Sequence, residues 1–424
     1  MTDSIAPVAA GGAPHDSRQQ RGRFINGLGV GQIVSWGSLY YSFPLLAEPM
    51  GKELGLSKTA LYGAATFGIL ISGLSSFAIG AAIDRGHGRK VMTLGSVLGG
   101  ALLMAWSGIG SLGMFYVLFA GIGLAQAMTM YDPAFAVVTR RYGLEARRGI
   151  IAITLWGGFA STVFIPFTQL LLDRFGWRGA VLVLGACNLA LCVGLHAWLI
   201  NSRLDAPHRA SGDSSGGALP LAGARAVRWA IRRPAFWGLL VAFTVYYGMY
   251  TGLTFHLYPL LLERGFSVGT VIGALAIIGP AQVAGRLAMW LFARNQSIRV
   301  IGVAAVICFP LSLLALMLLP KTFLSLAAFA MLCGAANGVI TIVRGLVVPE
   351  MLTRDAYGAI NGALTLPANI TKALAPAATA ALWSLSGSYD TVLTAALLSS
   401  LVVVLAFGFA ATKREPVGAQ SVPA

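Results

Sequence analysis

The chain alternates between long apolar runs and short breaks rich in charge, Gly, Ser and Pro. A bilayer core is crossed by about 20 mainly apolar residues in helical form. Twelve runs meet that length: 25–50, 58–83, 90–110, 112–139, 149–172, 178–200, 235–261, 268–293, 299–319, 322–348, 357–384 and 390–411. The pattern predicts an all-α membrane protein with 12 transmembrane helices. Between the sixth and seventh runs, residues 201–233 are rich in Ser, Gly, Ala and Pro and carry six Arg, the composition of a linker. The expected organisation is a disordered tail over 1–23, a six-helix bundle over 24–200, a linker over 201–234, a second bundle over 235–411 and a tail over 412–424.

Composition removes the soluble alternatives. Of 424 residues, 57% are hydrophobic and 11% charged, against roughly 25% charged in soluble domains. Too few polar side chains exist to cover two or three soluble cores, and a disordered chain would be far more polar. The formal charge of +15 would suggest nucleic acid in a soluble chain; here it reads as orientation. With both termini cytoplasmic, 21 Lys and Arg fall on the cytoplasmic side and 6 on the other, as the positive-inside bias requires. The expected location is a bacterial inner membrane, with no nucleic-acid partner and the chain acting as a monomer.

Several chemistries are excluded by context. Cys187, Cys192, Cys308 and Cys333 sit inside apolar runs without ligand spacing, so neither a metal nor a disulfide framework is expected. Gly27-x-Gly29-x-Gly31 opens a span and follows no strand, which removes a nucleotide loop. No Walker A, His-Glu-x-x-His, Gly-x-Ser-x-Gly or acidic dyad occurs, which argues against ATP drive and enzymatic activity, and no cofactor is expected.

A shift of about 210 residues superposes the two halves. It brings Gly55-Leu56-Ser57 onto Gly265-Phe266-Ser267, Pro166 onto Pro376, and the Gly176-Trp177-Arg178 break beside Gly387-Ser388-Tyr389. Internal repeats of this kind are common in transporters, whose substrate site lies between the repeats near the midplane. Between the second and third runs stands Gly80-Ala-Ala-Ile-Asp84-Arg85-Gly-His-Gly88-Arg89-Lys90, which resembles the signature loop of the major facilitator superfamily. That resemblance implies two pseudo-symmetric six-helix bundles that rock about a central site. It also implies a conformational latch made of Gly80, Asp84, Arg85, Gly88 and Arg89, with Arg140 as partner of Asp84. Arg147-Arg148-Gly149, Gly157, Pro166 and Gly176-Trp177-Arg178 resemble the fifth-helix region of monocarboxylate transporters and oxalate/formate antiporters. Those families carry basic residues in the eighth and eleventh helices, where Arg286 and Lys372 stand here.

Charge inside the spans bears on substrate directly. An ionisable residue at the helix centre costs about 2.5–3.5 kcal/mol on insertion scales, so it needs a reason. Arg286 lies roughly 12 Å and Lys372 roughly 22 Å from the cytoplasmic ends of their helices at 1.5 Å per residue. Arg344 and Asp132 lie near the 210-residue offset and are candidates for either a gating pair or substrate contact. Three interior cations against one carboxylate leave an excess of two positive charges, which calls for water or an anion. Arg286 offers a bidentate fork and Lys372 a point charge to a carboxylate.

Helical spacing adds neighbours. Gln32, Trp36 and Tyr40 recur every fourth residue, Asn369 precedes Lys372, and Gln282 precedes Arg286. Tyr246, Tyr247 and Tyr250 either line the opening or belong to the interfacial aromatic belt. Asp132 and His256 are the candidates for carrying a proton. The expected function is secondary active transport of a small organic anion, a mono- or dicarboxylate, coupled to protons or to a counter-anion. Proton-driven efflux of drugs or oxyanions and a non-transporting anion sensor are the alternatives.

Overall fold

The computed structural model describes residues 17–201, 223–293, 295–354 and 356–413. The expected tail stretches 1–16 and 414–424 and the linker stretch 202–222 lie outside the described residues. Among the described residues all regular structure is helical. The side on which the described chain begins and ends is called the tail side, the opposite one the far side.

Helices occupy all twelve expected spans, several of them in pieces. The first consists of Arg18–Trp36 and Phe43–Leu54, joined by the π-helical turn Gly37–Tyr41. The second and third are Lys58–Ala82 and Gly88–Trp106. The fourth, Leu112–Thr129 and Tyr131–Tyr142, breaks at Met130, whose backbone is extended. The fifth starts as Ala146–Gly158 and resumes after Phe159; Ala160–Cys187 then turns back at Gly176 (φ 64°) and carries on into the sixth. The seventh to twelfth are Pro234–Glu263, Val268–Phe292, Ile298–Leu318, Phe323–Val347, Tyr357–Ser386 and Tyr389–Thr412.

Two boundaries differ from expectation. The first helix begins at Arg18, inside the expected disordered tail, because Ser17 and Gln20 form a reciprocal capping box that satisfies two backbone donors. Gly223–Ile231, inside the expected linker, is a helix whose Gly223, Ala226 and Ala230 are buried.

The repeat has a local cause. Gly55 and Gly265 both adopt positive φ (65° and 88°), which a residue without Cβ does at little cost. Two residues later Ser57 and Ser267 cap the second and eighth helices, accepting hydrogen bonds from the N–H of Ala60 and Thr270. The same packing pairs recur in each half: second with fourth and eighth with tenth, third with fourth and ninth with tenth, first with fifth and seventh with eleventh. Between halves, the second span packs on the eleventh and the fifth on the eighth, and the repeat exchanges these two contacts.

Bonds differ between the two sides. On the far side the ties stay within a half: Glu53 accepts from Trp177 Nε1 (2.5 Å) and Arg178 Nε (3.0 Å). Its counterpart Glu263 accepts from Trp383 Nε1 (3.1 Å) and the Tyr389 N–H (2.7 Å). On the tail side several ties cross between halves. The Asp84 carboxylate accepts from the N–H groups of Gly358 (2.9 Å) and Ala359 (2.8 Å), two orphan donors at the start of the eleventh helix. Gly80 and Gly358 pack backbone to backbone with no room for a Cβ on either. Arg147 pairs with Glu350 (3.6 Å) and donates to the Gln296 carbonyl (2.7 Å). The tail side is therefore shut by polar and backbone contacts.

Candidate functional site

A cavity of about 480 Å³ lies between the halves, beyond the tail-side contacts. The first half contributes Trp36, Tyr40, Tyr41, Gln126, Tyr131 and Asp132, and the second Gln282, Arg286, Asn337, Arg344, Asn369 and Lys372. The fragmentation of the first, fourth and fifth helices has its purpose here. Each break, at Gly37–Tyr41, Met130 and Phe159, lies beside wall residues of the cavity. In the π turn the Ser42 N–H reaches back five residues to the Gly37 carbonyl (3.1 Å), so Trp36 and Tyr41 share a face.

Arg344 and Asp132 form an ion pair across the halves at 3.1 Å. Both are saturated further: Arg344 Nη2 donates to Thr365 Oγ1 (2.5 Å), and Asn361 Nδ2 donates to Asp132 Oδ1 (3.1 Å). The pair bridges the halves at the tail-side floor of the cavity.

Arg286 is 6% exposed. Its Nη1 donates to the Thr154 carbonyl (3.2 Å) and its Nε to the Gly338 carbonyl (3.4 Å). Those bonds fix the guanidinium plane but leave its charge uncompensated, since no carboxylate pairs with it among the described residues. Gly157 and Gly158 make this possible: a Cβ on the first would collide with the Tyr131 hydroxyl, and on the second with Arg286 Nη1. Lys372 also has no carboxylate partner among the described residues; its Nζ sits 5.3 Å from the centre of the Tyr40 ring, a cation–π contact that joins the halves above the Arg344–Asp132 pair.

An aromatic ladder runs between these two cations. Tyr131 lies 5.0 Å from Trp36, and Trp36 lies 5.3 Å from Tyr40, ring centre to ring centre. The Trp36 Nε1–H is buried without an acceptor. The wall is thus cationic: two cations line it without a carboxylate partner among the described residues, while Asp132 is already engaged.

Two expected site residues lie elsewhere. Gln32 is fully buried inside the first half, where its amide donates to the Thr129 carbonyl (2.8 Å). It sits one turn tailward of Trp36 and turns into the first half, away from the cavity wall. His256 is off the cavity wall; its ring nitrogens face the Tyr389 hydroxyl (3.0 Å) and the Pro376 carbonyl (3.1 Å). In the signature loop, Gly80 and Asp84 make the inter-half contact, and Arg140 donates to the Asp84 carbonyl oxygen and holds the loop. Gly88 starts the third helix against Val137. Arg85 and Arg89 are exposed and make no described bond to the other half, so the contact of this loop with the other half is made by the Asp84 carboxylate and Gly80.

Tyr41, Tyr131 and Gln126 line the cavity and were not expected. Regular four-residue spacing skips Tyr41 because the π turn adds a residue. Tyr131 is adjacent to Asp132, which was itself a sequence candidate. Gln126, whose amide donates to the Leu39 carbonyl (2.8 Å), carried no signal beyond being polar in a span.

Comparison with known proteins agrees with this architecture. Residues 28–319 match the profile of the Major Facilitator Superfamily. The chain is 28% identical over 367 residues to an MFS-type efflux pump of Mycolicibacterium smegmatis, covering 81% of this chain and 82% of that protein. It is 33% identical over 174 residues to human monocarboxylate transporter 11, covering 39% of this chain; the match spans about a third (34%) of that relative. Among solved structures, the human organic anion transporter MFSD10 (TETRAN) superposes with a TM-score of 0.69 at 16% identity, over 92% of this chain and 99% of that one. The transporter FucP in its outward conformation gives 0.66 at 15% identity, over 90% and 97%. With its twelve helical spans, its repeat and its matching profile, the chain belongs to the major facilitator superfamily, a family of membrane carriers rather than enzymes.

Proposed function

We propose that this carrier moves a small organic anion, most simply a monocarboxylate, by alternating access, with Arg286 and Lys372 holding the carboxylate. The observation that carries this reading is the charge balance of the cavity. Arg344 is neutralised by Asp132, and the remaining two cations have no carboxylate partner among the described residues. Arg286 is buried and Lys372 half-buried, so two unpaired cations on one cavity wall favour an anionic occupant, and a guanidinium fork and an ammonium are both donors that a carboxylate accepts. The ladder of Tyr131, Trp36 and Tyr40 supports an organic body over an inorganic oxyanion, because it offers apolar faces between the cations.

Coupling is to protons or to a counter-anion. Asp132 remains the proton candidate, since its protonation would release Arg344 and open the gate; His256, bonded away from the cavity, loses that role. The tail side is the cytoplasmic one by its basic excess, the membrane is a bacterial inner membrane, and the unit is a monomer. One relative is named an efflux pump, which favours export as the direction of flow. The cationic cavity argues against cationic drugs as cargo, whichever the direction.

Exchange of labelled carboxylates in proteoliposomes tests this. Arg286→Ala and Lys372→Ala proteins, inserted normally, are expected to lose exchange at least ten-fold, the scale of removing a charged hydrogen-bonding group. Normal exchange in both would refute the assignment. Efflux of neutral or cationic compounds with no response to any anion would favour the drug reading, and binding without flux the sensor.

A further inference from the structure

The helix Gly223–Ile231 packs against the second span of one half and the eleventh span of the other, on the tail side. Its inward face is small and apolar, with Ala226 and Ala230 fully buried. Its other face carries Arg225 and Arg228, both exposed, followed by exposed Arg232. None of these three forms an ion pair with an acidic side chain among the described residues. Arg85 of the signature loop reaches the start of the helix near Gly223, and exposed Arg89 and Lys90 follow it, so the basic surface continues onto the first half.

Beside this basic face lie residues suited to a membrane boundary. Trp229 is half-buried, and Arg233 lies over its ring at 4.8 Å. Ile231 is 39% exposed, and Trp237, 51% exposed, donates its Nε1–H to the Ile231 carbonyl (2.8 Å). Trp at the level of the headgroups, with Arg facing outward from a short amphipathic helix, is the arrangement of a segment lying in the interface plane. Clusters of four or more basic residues in that position attract anionic headgroups.

We propose that the basic face of Gly223–Ile231, with Arg232, binds anionic phospholipid headgroups of the tail-side leaflet, and that this contact stabilises the tail-closed arrangement. The coupling is geometric. The helix rests on the second and eleventh spans together, and these must separate when the tail side opens. A lipid that holds the helix in place therefore favours the state in which the Gly80–Gly358 contact is made. The proposal goes beyond the transported substrate and stands whether or not the cargo is an anion.

Hydrogen–deuterium exchange of the full chain in nanodiscs is the test, read at residues 79–90 and 357–363. Discs of phosphatidylcholine alone are compared with discs containing phosphatidylglycerol. Phosphatidylglycerol is expected to slow exchange in both segments severalfold. A variant with Arg225→Gln, Arg228→Gln and Arg232→Gln is expected to lose that difference, and one with Lys at the same three positions to keep it. Equal exchange of the unmodified protein in the two discs would overturn the proposal, even if the Gln variant failed to insert. So would a Gln variant that still responds. Slowing by soluble glycerol phosphate in phosphatidylcholine discs would show a soluble-phosphate site instead, and slowing only on adding an acidic protein would show a protein partner; either result contradicts a lipid contact.

Discussion

At the scale of single residues, charge and hydrogen-bond direction decide the site. Arg286 is held by two backbone carbonyls, so its fork is oriented before substrate arrives. Arg286→Lys keeps the charge but not the planar donors, and substrate affinity is expected to fall roughly ten-fold or more, the scale of one charge-assisted hydrogen bond. Binding titrations check this; unchanged affinity in the Lys protein would reduce Arg286 to a point charge. Asp132→Asn strands Arg344. Both side chains keep some exposure, 18% for Arg344 and 29% for Asp132, so the loss is placed at about 1–3 kcal/mol, below the cost of breaking a fully buried pair. The expected outcome is a population shift toward the tail-open state together with loss of pH-driven accumulation. Unaltered accumulation would remove Asp132 from coupling. The charged members of this site were legible in the sequence because an ionisable residue deep in a span is costly and therefore rare. Polar and aromatic members were less so: Gln32 and Tyr41 exchange places relative to expectation, the first because its amide bonds to the Thr129 carbonyl inside the first half, the second because of the π turn.

At the scale of elements, apolarity itself was informative in an unexpected direction. Eight continuous helical stretches among the described residues are long and apolar enough to cross a membrane, and two of them hold two crossings. The helices of the first and eleventh spans are not among them. These two carry Trp36, Tyr40, Asn369 and Lys372 into the cavity, so their low hydropathy is the mark of facing water rather than lipid. Spans and repeat followed from apolar length and from turn residues such as Gly55 and Ser57. The breaks at Met130 and Phe159 did not, since neither has a Pro or Gly that would force one at that residue. The close contact of the second and eleventh helices gives an element-level prediction. Gly80→Val places a side chain against the Gly358 backbone, where overpacking costs about 1–3 kcal/mol. Spin labels at Lys90 and Asn295 are expected to report a longer tail-side distance; an unchanged distance would mean that this contact does not hold the closed state. On the far side, Glu53 is held below the ordinary carboxylate value of 4.5 by the Trp177 N–H and then by Arg178. A depressed pKa contributes stability that is present above 4.5 and fades as pH falls through the lower folded value. Trp177 emission is therefore expected to change on acidification below pH 4.5, and Glu53→Gln to abolish that change.

At the scale of the whole molecule, the described polar ties between the two halves gather on one side. Inter-half bonds through Asp84, Arg147 and Asp132 close the tail side, while the far-side bonds of Glu53 and Glu263 stay within their halves. Under the proposed alternating access, the tail-side set is the one that must break, with Lys372 and Tyr40 meeting across the cavity above it. The net charge of +15 resolves at this scale into an orientation signal plus two unpaired cavity cations. Those two cations are the central claim, and matched pairs of ligands test it most directly. Thermal stability of the purified protein is measured with carboxylates and with their uncharged amides, such as benzoate against benzamide and lactate against lactamide. At least one carboxylate is expected to raise the melting temperature while its amide does not, and the rise is expected to vanish when Arg286 and Lys372 are both replaced by Ala. Stabilisation by cationic or neutral compounds alone, or a carboxylate effect that survives the double replacement, would contradict the account.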